Sequence, residues 1–148
     1  MAPARVRTTD RSHTKRHASI EDSLDEARAT LDAFRRDPAR VESVRAFVDV
    51  ALRTFRAGGT VFCCGNGGSL SQAMHFAEEW TGRFRRDRSA LPATALCDPS
   101  VLTCIANDFG YEQVFARQIE AHGRRGDLLV TISTSGRSPN LLRAARAA

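Results

Sequence analysis

A buried strand, a glycine-rich turn and a helix follow one another in TVFCCGNGGSLSQAMHFAEEWTGR, residues 60–83, and constrain the fold most strongly. Five consecutive apolar or β-branched residues at 60–64 predict a parallel strand that is covered on both faces. The glycines let the backbone turn tightly and approach a ligand closely. Ser69 is expected to cap the helix, whose first N–H groups and positive dipole end suit an anion. The segment therefore predicts an α/β fold with an anion site at this turn.

The helix after the turn carries His75 and Glu79 four residues apart, so the two side chains share one face. A histidine and a carboxylate at this spacing are either an ordinary surface pair or half of a four-ligand metal site. The apolar side of the helix is predicted to consist of Leu70, Ala73, Met74, Ala77 and Trp80.

Two further strands are predicted, at 93–97 and at 128–132, with helices at 101–107, at 112–122 and after residue 138. The strand at 128–132 is followed at once by Ser-Thr-Ser-Gly-Arg-Ser, and Ser138 suits the N-cap of the last helix because a proline follows it. Hydroxyls and unpaired amides at a strand-to-helix junction predict a phosphate cradle, and an ordinary serine-rich loop is the alternative. Parallel strands bind ligands at their carboxyl ends.

Two amphipathic helices precede the glycine turn and predict a helical hairpin over residues 19–58, broken at Asp37-Pro38. Their apolar stripes are Ile20, Leu24, Ala27, Leu31 and Phe34 in the first helix and Val41, Val44, Val48, Leu52 and Phe55 in the second. Such stripes either complete the core or pack against the same helices of another subunit.

Most of the formal net charge of +5 lies near the amino terminus, where residues 1–17 hold five basic residues and one aspartate. We predict a disordered basic tail over residues 1–18, with a weak anion-binding arm as the alternative, and do not expect nucleic acid as a partner. The apolar runs are far shorter than the roughly 18 residues of a membrane span, and no signal peptide is evident, so a cytoplasmic location is expected. The four cysteines lack zinc-ribbon or CxxC spacing and are expected to be buried free thiols.

Three motifs, GNGGSLSQAMHFAEEWTGR at 65–83, NDFGY at 107–111 and STSGRS at 133–138, together resemble the phosphoheptose isomerases of the SIS (sugar isomerase) superfamily. The resemblance covers roughly residues 19–148 and implies a SIS domain there. It implies an α/β core over 59–148, a doubly wound parallel sheet in a flavodoxin-like three-layer sandwich. It further implies a homotetramer that converts D-sedoheptulose 7-phosphate to D-glycero-D-manno-heptose 7-phosphate by enediol-type proton transfer.

The resemblance also implies roles for single residues. Glu79 matches the catalytic base, and His75 and Glu79 match ligands of a zinc ion, two roles that compete because a metal-bound carboxylate is a poor base. Asn107 and Asp108, which local pattern alone would place in a turn, match a pair that lines the sugar site. The substrate-binding residues that it implies are Asn66, Gly67, Gly68, Ser69, Glu79, Asn107, Asp108, Ser133, Thr134, Ser135 and Ser138.

The family completes its site with a glutamine and a second histidine on a helix well beyond the phosphate loop, whereas this sequence ends at Ala148. We therefore expect a chain that is incomplete at its carboxyl end, a fragment or degenerate copy that is inactive alone. The alternative function is non-catalytic: a SIS-domain sugar-phosphate-binding module, or an adaptor that associates with a replication initiator. Glu79 favours the enzyme, because it matches the adaptor less well.

Overall fold

The computed structural model describes residues 19–148, so the predicted basic tail at 1–18 lies outside the described residues. The chain forms two compact units: one ends at Ser43 and the other spans Val44–Ala148. The predicted domain bounds, 19–58 and 59–148, stay predictions. Within residues 19–148, each helix is too short or too polar to cross a bilayer.

The unit that ends at Ser43 contains helix α1, Ile20–Arg36. Its start is a capping box, as the sequence indicates: Asp22 N donates to Ser19 Oγ at 3.0 Å, and Ser19 N donates to Asp22 Oδ2 at 2.9 Å. The apolar stripe of α1 is largely uncovered, since Ile20 is 76% exposed and Leu31 is 68% exposed. No residue of α1 is buried.

Helix α2, Pro38–Arg56, runs from one unit into the other. Within Val44–Ala148 it buries Ala51 and Thr54, whereas Val48 of the predicted stripe is 46% exposed. The face of α2 that carries Ala51 and Thr54 is buried because the adjacent Phe55 ring packs against Trp80, with centroids 5.0 Å apart.

The core of the larger unit is a three-stranded parallel sheet in the order β2-β1-β3, which confirms the predicted α/β class. Its strands are β1 (Val61–Gly65), β2 (Ala93–Ala95) and β3 (Leu128–Ile132). Strand β3 has the predicted bounds. Strand β2 is two residues shorter than predicted. The remaining elements are α3 (Gly68–Thr81), α4 (Pro99–Phe109), a 3-10 turn (Tyr111–Gln113), α5 (Ala116–His122) and α6 (Pro139–Ala147).

Strand β1 is buried on both faces, which makes the three-layer sandwich. Val61 and Cys63 pack with Ala73 and Ala77 of α3 on one face. On the other face, Phe62 and Cys64 pack with residues that follow β2, with α4, with α5 and the two residues before it, and with α6. The buried members there are Leu96, Ile105, Val114, Phe115, Ile119, Leu141 and Ala144. Met74, predicted to face this core, is 47% exposed, because the small side chains of α3 are the ones that lie against the sheet.

The cysteines are free, and only two of them are buried. Burial raises the pKa of Cys63 to about 11 and that of Cys64 to about 12, so both are neutral thiols at physiological pH. The prediction of burial is wrong for Cys104, which lies on the exposed side of α4.

Candidate functional site

Two strand-to-helix junctions lie side by side at the carboxyl edge of the sheet. Gly65 is aligned with Ile132 in the pairing of β1 with β3, so the residues after both strands leave the sheet at the same edge. We call residues 65–69 the glycine junction and residues 133–138 the serine junction. The carboxyl ends of parallel strands are where open α/β sheets bind their ligands.

The glycine junction depends on glycine at two positions. A Cβ on Gly65 would lie 2.6 Å from the backbone carbonyl of Ser69 and 3.0 Å from the carbonyl oxygen of Ile132. Gly67 has φ of 54° and is the N-cap of α3, without a side-chain cap. The prediction that Ser69 caps α3 is wrong: the positive φ of Gly67 allows the helix to begin at Gly68, and Ser69 falls in the first turn.

The serine junction is closed by its own hydroxyl groups. Gly136 N donates to Ser133 Oγ at 3.0 Å, and Arg137 N donates to Ser135 Oγ at 3.2 Å. Ser138 is the N-cap of α6, as predicted, but its side chain makes no capping hydrogen bond. In both junctions the N-cap residue makes no side-chain hydrogen bond to its helix, although Leu141 N in the first turn of α6 donates to Asn140 Oδ1. Helix amino termini without an N-cap side chain suit an anion.

An amide pair ties the two junctions together. Asn66 Nδ2 donates to Asn140 Oδ1 at 3.0 Å, and Asn140 Nδ2 donates to Asn66 Oδ1 at 2.8 Å. The hydroxyl of Tyr111 also donates to Asn66 Oδ1, at 3.0 Å. Sequence reasoning missed Asn140 and the role of Tyr111, although Tyr111 closes the NDFGY motif. Asn66, Ser138 and Asn140 line one cavity of about 490 Å³.

The candidate acid-base pair lies further along α3. His75 Nε2 is 3.2 Å from Glu79 Oε1 and 3.9 Å from Glu78 Oε1. The Glu79 side chain is 31% exposed, much less than the 72% of His75. Sequence reasoning missed Glu78, although its i, i+3 spacing from His75 places the two side chains on neighbouring positions of the helix surface.

His75, Glu78 and Glu79 fit a divalent metal ion. Each offers one ligand atom, and these atoms lie within 4.8 Å of one another. Imidazole and carboxylate are donors that zinc accepts, and tetrahedral bonds of 2.0–2.2 Å hold ligand atoms about 3.3–3.6 Å apart. The separation of His75 and Glu79 is already close to that value.

The Glu79 side chain lines a cavity of about 700 Å³. Its lining residues are Gln72, His75, Phe76, Glu79, Trp80, Phe84, Arg88 and Ile132. Ile132 directly precedes the serine junction, so the cavity extends to the start of that junction. Asn66 and Ser138 line the other cavity, so Glu79 and the junction residues do not share one cavity. Glu79 lies near the carboxyl end of α3, where the Thr81 hydroxyl donates to Ala93 O at the start of β2, away from the edge that holds the junctions.

Asn107 and Asp108 lie in the last turn of α4, not in a loop, because Asp98 caps that helix and Gly110 follows its end. Asn107 Nδ2 donates to Asp108 Oδ1 at 2.8 Å, and both residues are exposed. Neither lines the cavity at Glu79 or the cavity at Asn66.

Comparison with known proteins gives one consistent family. A model of the SIS domain matches residues 24–148. The phosphoheptose isomerase of Sodalis glossinidius is 53% identical over 129 residues, which are 87% of this chain and 66% of that protein. The phosphoheptose isomerase of Serratia proteamaculans is 50% identical over 132 residues, 89% of this chain and 68% of that protein.

Solved structures agree with the sequence relatives. The phosphoheptose isomerase of Neisseria gonorrhoeae superposes with a TM-score of 0.72 at 37% identity, covering 87% of this chain and 69% of that one. The phosphoheptose isomerase of Francisella tularensis gives a TM-score of 0.62 at 33% identity, covering 84% and 69%. The chain spans about two thirds of the length of the curated relatives it matches. It belongs to the SIS-domain family and, within that family, to the phosphoheptose isomerases.

Proposed function

We propose that this chain carries the substrate site of an isomerase that converts D-sedoheptulose 7-phosphate to D-glycero-D-manno-heptose 7-phosphate. One observation carries the proposal: two helix amino termini without side-chain caps adjoin at one sheet edge, and the helix of the first bears a histidine and glutamate in contact. The names of the relatives support the same activity.

The junctions are the phosphate end of the proposed site. Hydroxyls of Ser133, Thr134, Ser135 and Ser138 offer hydrogen bonds to phosphoryl oxygens, and the amino terminus of α6 adds its positive dipole end. In the glycine junction, the absence of side chains at Gly67 and Gly68 lets the backbone approach the substrate. Asn66 and Ser69 supply polar side chains beside it.

Glu79 is the base in this proposal. The carboxylate removes a proton from carbon 1 of the ketose, next to the carbonyl at carbon 2, and the C–H electron pair forms the double bond of an enediolate. Return of the proton to carbon 2, with transfer of a hydroxyl proton from oxygen 1 to oxygen 2, gives the aldose. His75, 3.2 Å away, orients the Glu79 carboxylate. Asn107 and Asp108 remain proposed contacts to the sugar hydroxyls.

A zinc ion is also part of the proposal, with His75, Glu78 and Glu79 as the residues that would hold it. When bound, such an ion polarises a carbonyl oxygen as a Lewis acid. The two roles of Glu79 compete, and in this proposal Glu79 acts as the base when His75 and Glu78, whose Nε2 and Oε1 atoms lie 3.9 Å apart, hold the ion without it.

The predicted homo-oligomer, a tetramer in the family, is proposed to form through α1. Its support is the exposed apolar stripe, in which Ile20, Leu24 and Leu31 are 76%, 65% and 68% exposed. Sedimentation velocity tests this, since Leu31→Asp is expected to shift the protein to a smaller species. The cytoplasmic location stays a prediction.

The activity is tested by following aldose formation from sedoheptulose 7-phosphate. We would assay the chain itself and a fusion in which the carboxyl-terminal segment of the Sodalis glossinidius relative follows Ala148, which we call the continued form. Unphosphorylated sedoheptulose is the matched substrate control. The expected result is conversion of the phosphorylated sugar by the continued form and little conversion of the control. No conversion, together with binding to a replication initiator, would favour the adaptor.

A further inference from the structure

We infer that Asn140 and Tyr111 are positioning residues that hold the side-chain amide of Asn66 so that it can only donate a hydrogen bond to the substrate. The inference rests on the proposed function, in which Asn66 lies beside the phosphorylated sugar. The inference explains which kind of substrate atom Asn66 can contact. It also gives a role to two residues that the sequence did not predict as part of the site.

The orientation of the Asn140 amide is set by the backbone. Leu141 N donates to Asn140 Oδ1 at 3.0 Å, so this end of the amide is the oxygen. Asn140 is only 2% exposed, and its amide is therefore held by protein groups and not by bulk water. Because Asn140 Oδ1 also accepts from Asn66 Nδ2, the orientation of the Asn66 amide follows from that of Asn140.

The oxygen of Asn66 is fully used by these contacts. Its two acceptor positions receive Asn140 Nδ2 at 2.8 Å and the Tyr111 hydroxyl at 3.0 Å. One N–H of Asn66 Nδ2 goes to Asn140, which leaves the second N–H for a ligand. Asn66 can thus contact an oxygen lone pair, such as that of a phosphoryl group, and cannot accept from a sugar hydroxyl.

The test is a double-mutant cycle on sedoheptulose 7-phosphate binding, measured by calorimetry on the full chain. Tyr111→Phe removes one hydroxyl at a residue that is 59% exposed, so it opens no cavity. We expect it to weaken binding about threefold to tenfold, the usual effect of one hydrogen bond, and to cause no further loss in an Asn66→Ala background. In the continued form, KM rises by the same factor while kcat changes less than twofold.

Asn140→Ala has a matched control in Gln118→Ala. Gln118 is also buried, and its Nε2 donates to Val114 O, four residues earlier in the chain and away from Asn66. Both substitutions lower the melting temperature, but only Asn140→Ala is expected to weaken binding, by about tenfold or more. Asn66→Asp keeps the acceptor oxygen and loses the donor, so it is expected to bind more weakly than Asn66→Ala.

Equal effects of Tyr111→Phe in the two backgrounds would overturn the inference, and so would an absence of sugar-phosphate binding by the unsubstituted protein. If that protein binds the sugar phosphate without isomerising it, the proposed activity fails, and the binding cycle still decides the role of Asn140 and Tyr111.

Discussion

The helices after β2 and β3 begin with the same pattern, a capping residue followed by proline, yet their amino termini differ. Before α4, the Asp98 carboxylate accepts from Ser100 N and Val101 N, each at 2.9 Å. Before α6, the Ser138 side chain makes no capping hydrogen bond. The side chain of the N-cap residue therefore closes the amino terminus of α4 and does not close that of α6.

The difference shows that a capping pattern alone does not identify a phosphate site. The Ser100 hydroxyl, followed by the backbone N–H groups of Val101 and Ser100, holds the pKa of Asp98 below its ordinary value, so the α4 terminus carries a permanent negative charge at neutral pH. The glycine junction resembles the serine junction, since α3 also lacks a side-chain cap.

Gly65→Ala is expected to have the largest effect on stability, because the open glycine junction exists only through close backbone contact. The added methyl would meet two carbonyl groups at 2.6 and 3.0 Å, neither of them a flexible side chain. We expect a loss of about 3 kcal/mol or more in the free energy of unfolding, measured by urea denaturation.

Gly68→Ala is the matched control, since its Cβ meets nothing within 4 Å and the residue is already helical. That change is expected to be neutral or to stabilise by about 0.5–1 kcal/mol. Equal destabilisation by the two substitutions would contradict the close-contact explanation.

Ser138→Asp gives α6 an aspartate at its N-cap, as Asp98 gives α4. The carboxylate is expected to stabilise the helix and to occupy the place of the phosphate, so affinity for sedoheptulose 7-phosphate falls about 100-fold while the melting temperature is kept or raised. Ser138→Asn, a neutral cap of similar size, is the control and should lose much less affinity. Unchanged binding by Ser138→Asp would place the phosphate elsewhere.

Asp98→Ala tests the closed terminus and has the smallest expected effect. A carboxylate whose pKa is lower in the folded state stabilises the fold above its ordinary pKa of about 3.9 and loses that contribution as the pH falls through the folded value. The substitution should therefore lower the melting temperature at pH 7, and the difference should disappear in acid. A pH-independent difference would argue against this linkage, and Asp49→Ala on α2 serves as an exposed control.

The sheet was readable from the sequence because its strands are short apolar runs bounded by turn residues. Strand β3 has the predicted bounds for this reason, with Asp127 before it and serines after it. The start of α3 was not readable from the sequence. Serine favours the N-cap position, but here the N-cap has a positive φ that only glycine adopts readily, and Gly67 occupies it in place of Ser69.

The site was only partly predictable, and the missed part is long-range. The helical spacing of His75 and Glu79 is local, and the structure places them in contact. The hydrogen bond between Asn66 and Asn140 joins residues 74 positions apart, so no local sequence pattern predicts it. Asn107 and Asp108 match a motif, yet they lie on α4 outside both cavities described above.

The role of Glu79 is tested most directly by deuterium incorporation at carbon 1 of sedoheptulose 7-phosphate in deuterium oxide, which reports proton removal separately from product formation. In the continued form, Glu79→Gln is predicted to slow incorporation by about 100-fold to 10,000-fold with substrate affinity retained, and Glu120→Gln on α5 is predicted to change neither. Incorporation by Glu79→Gln at the rate of the unsubstituted protein would contradict the assignment of Glu79 as the base.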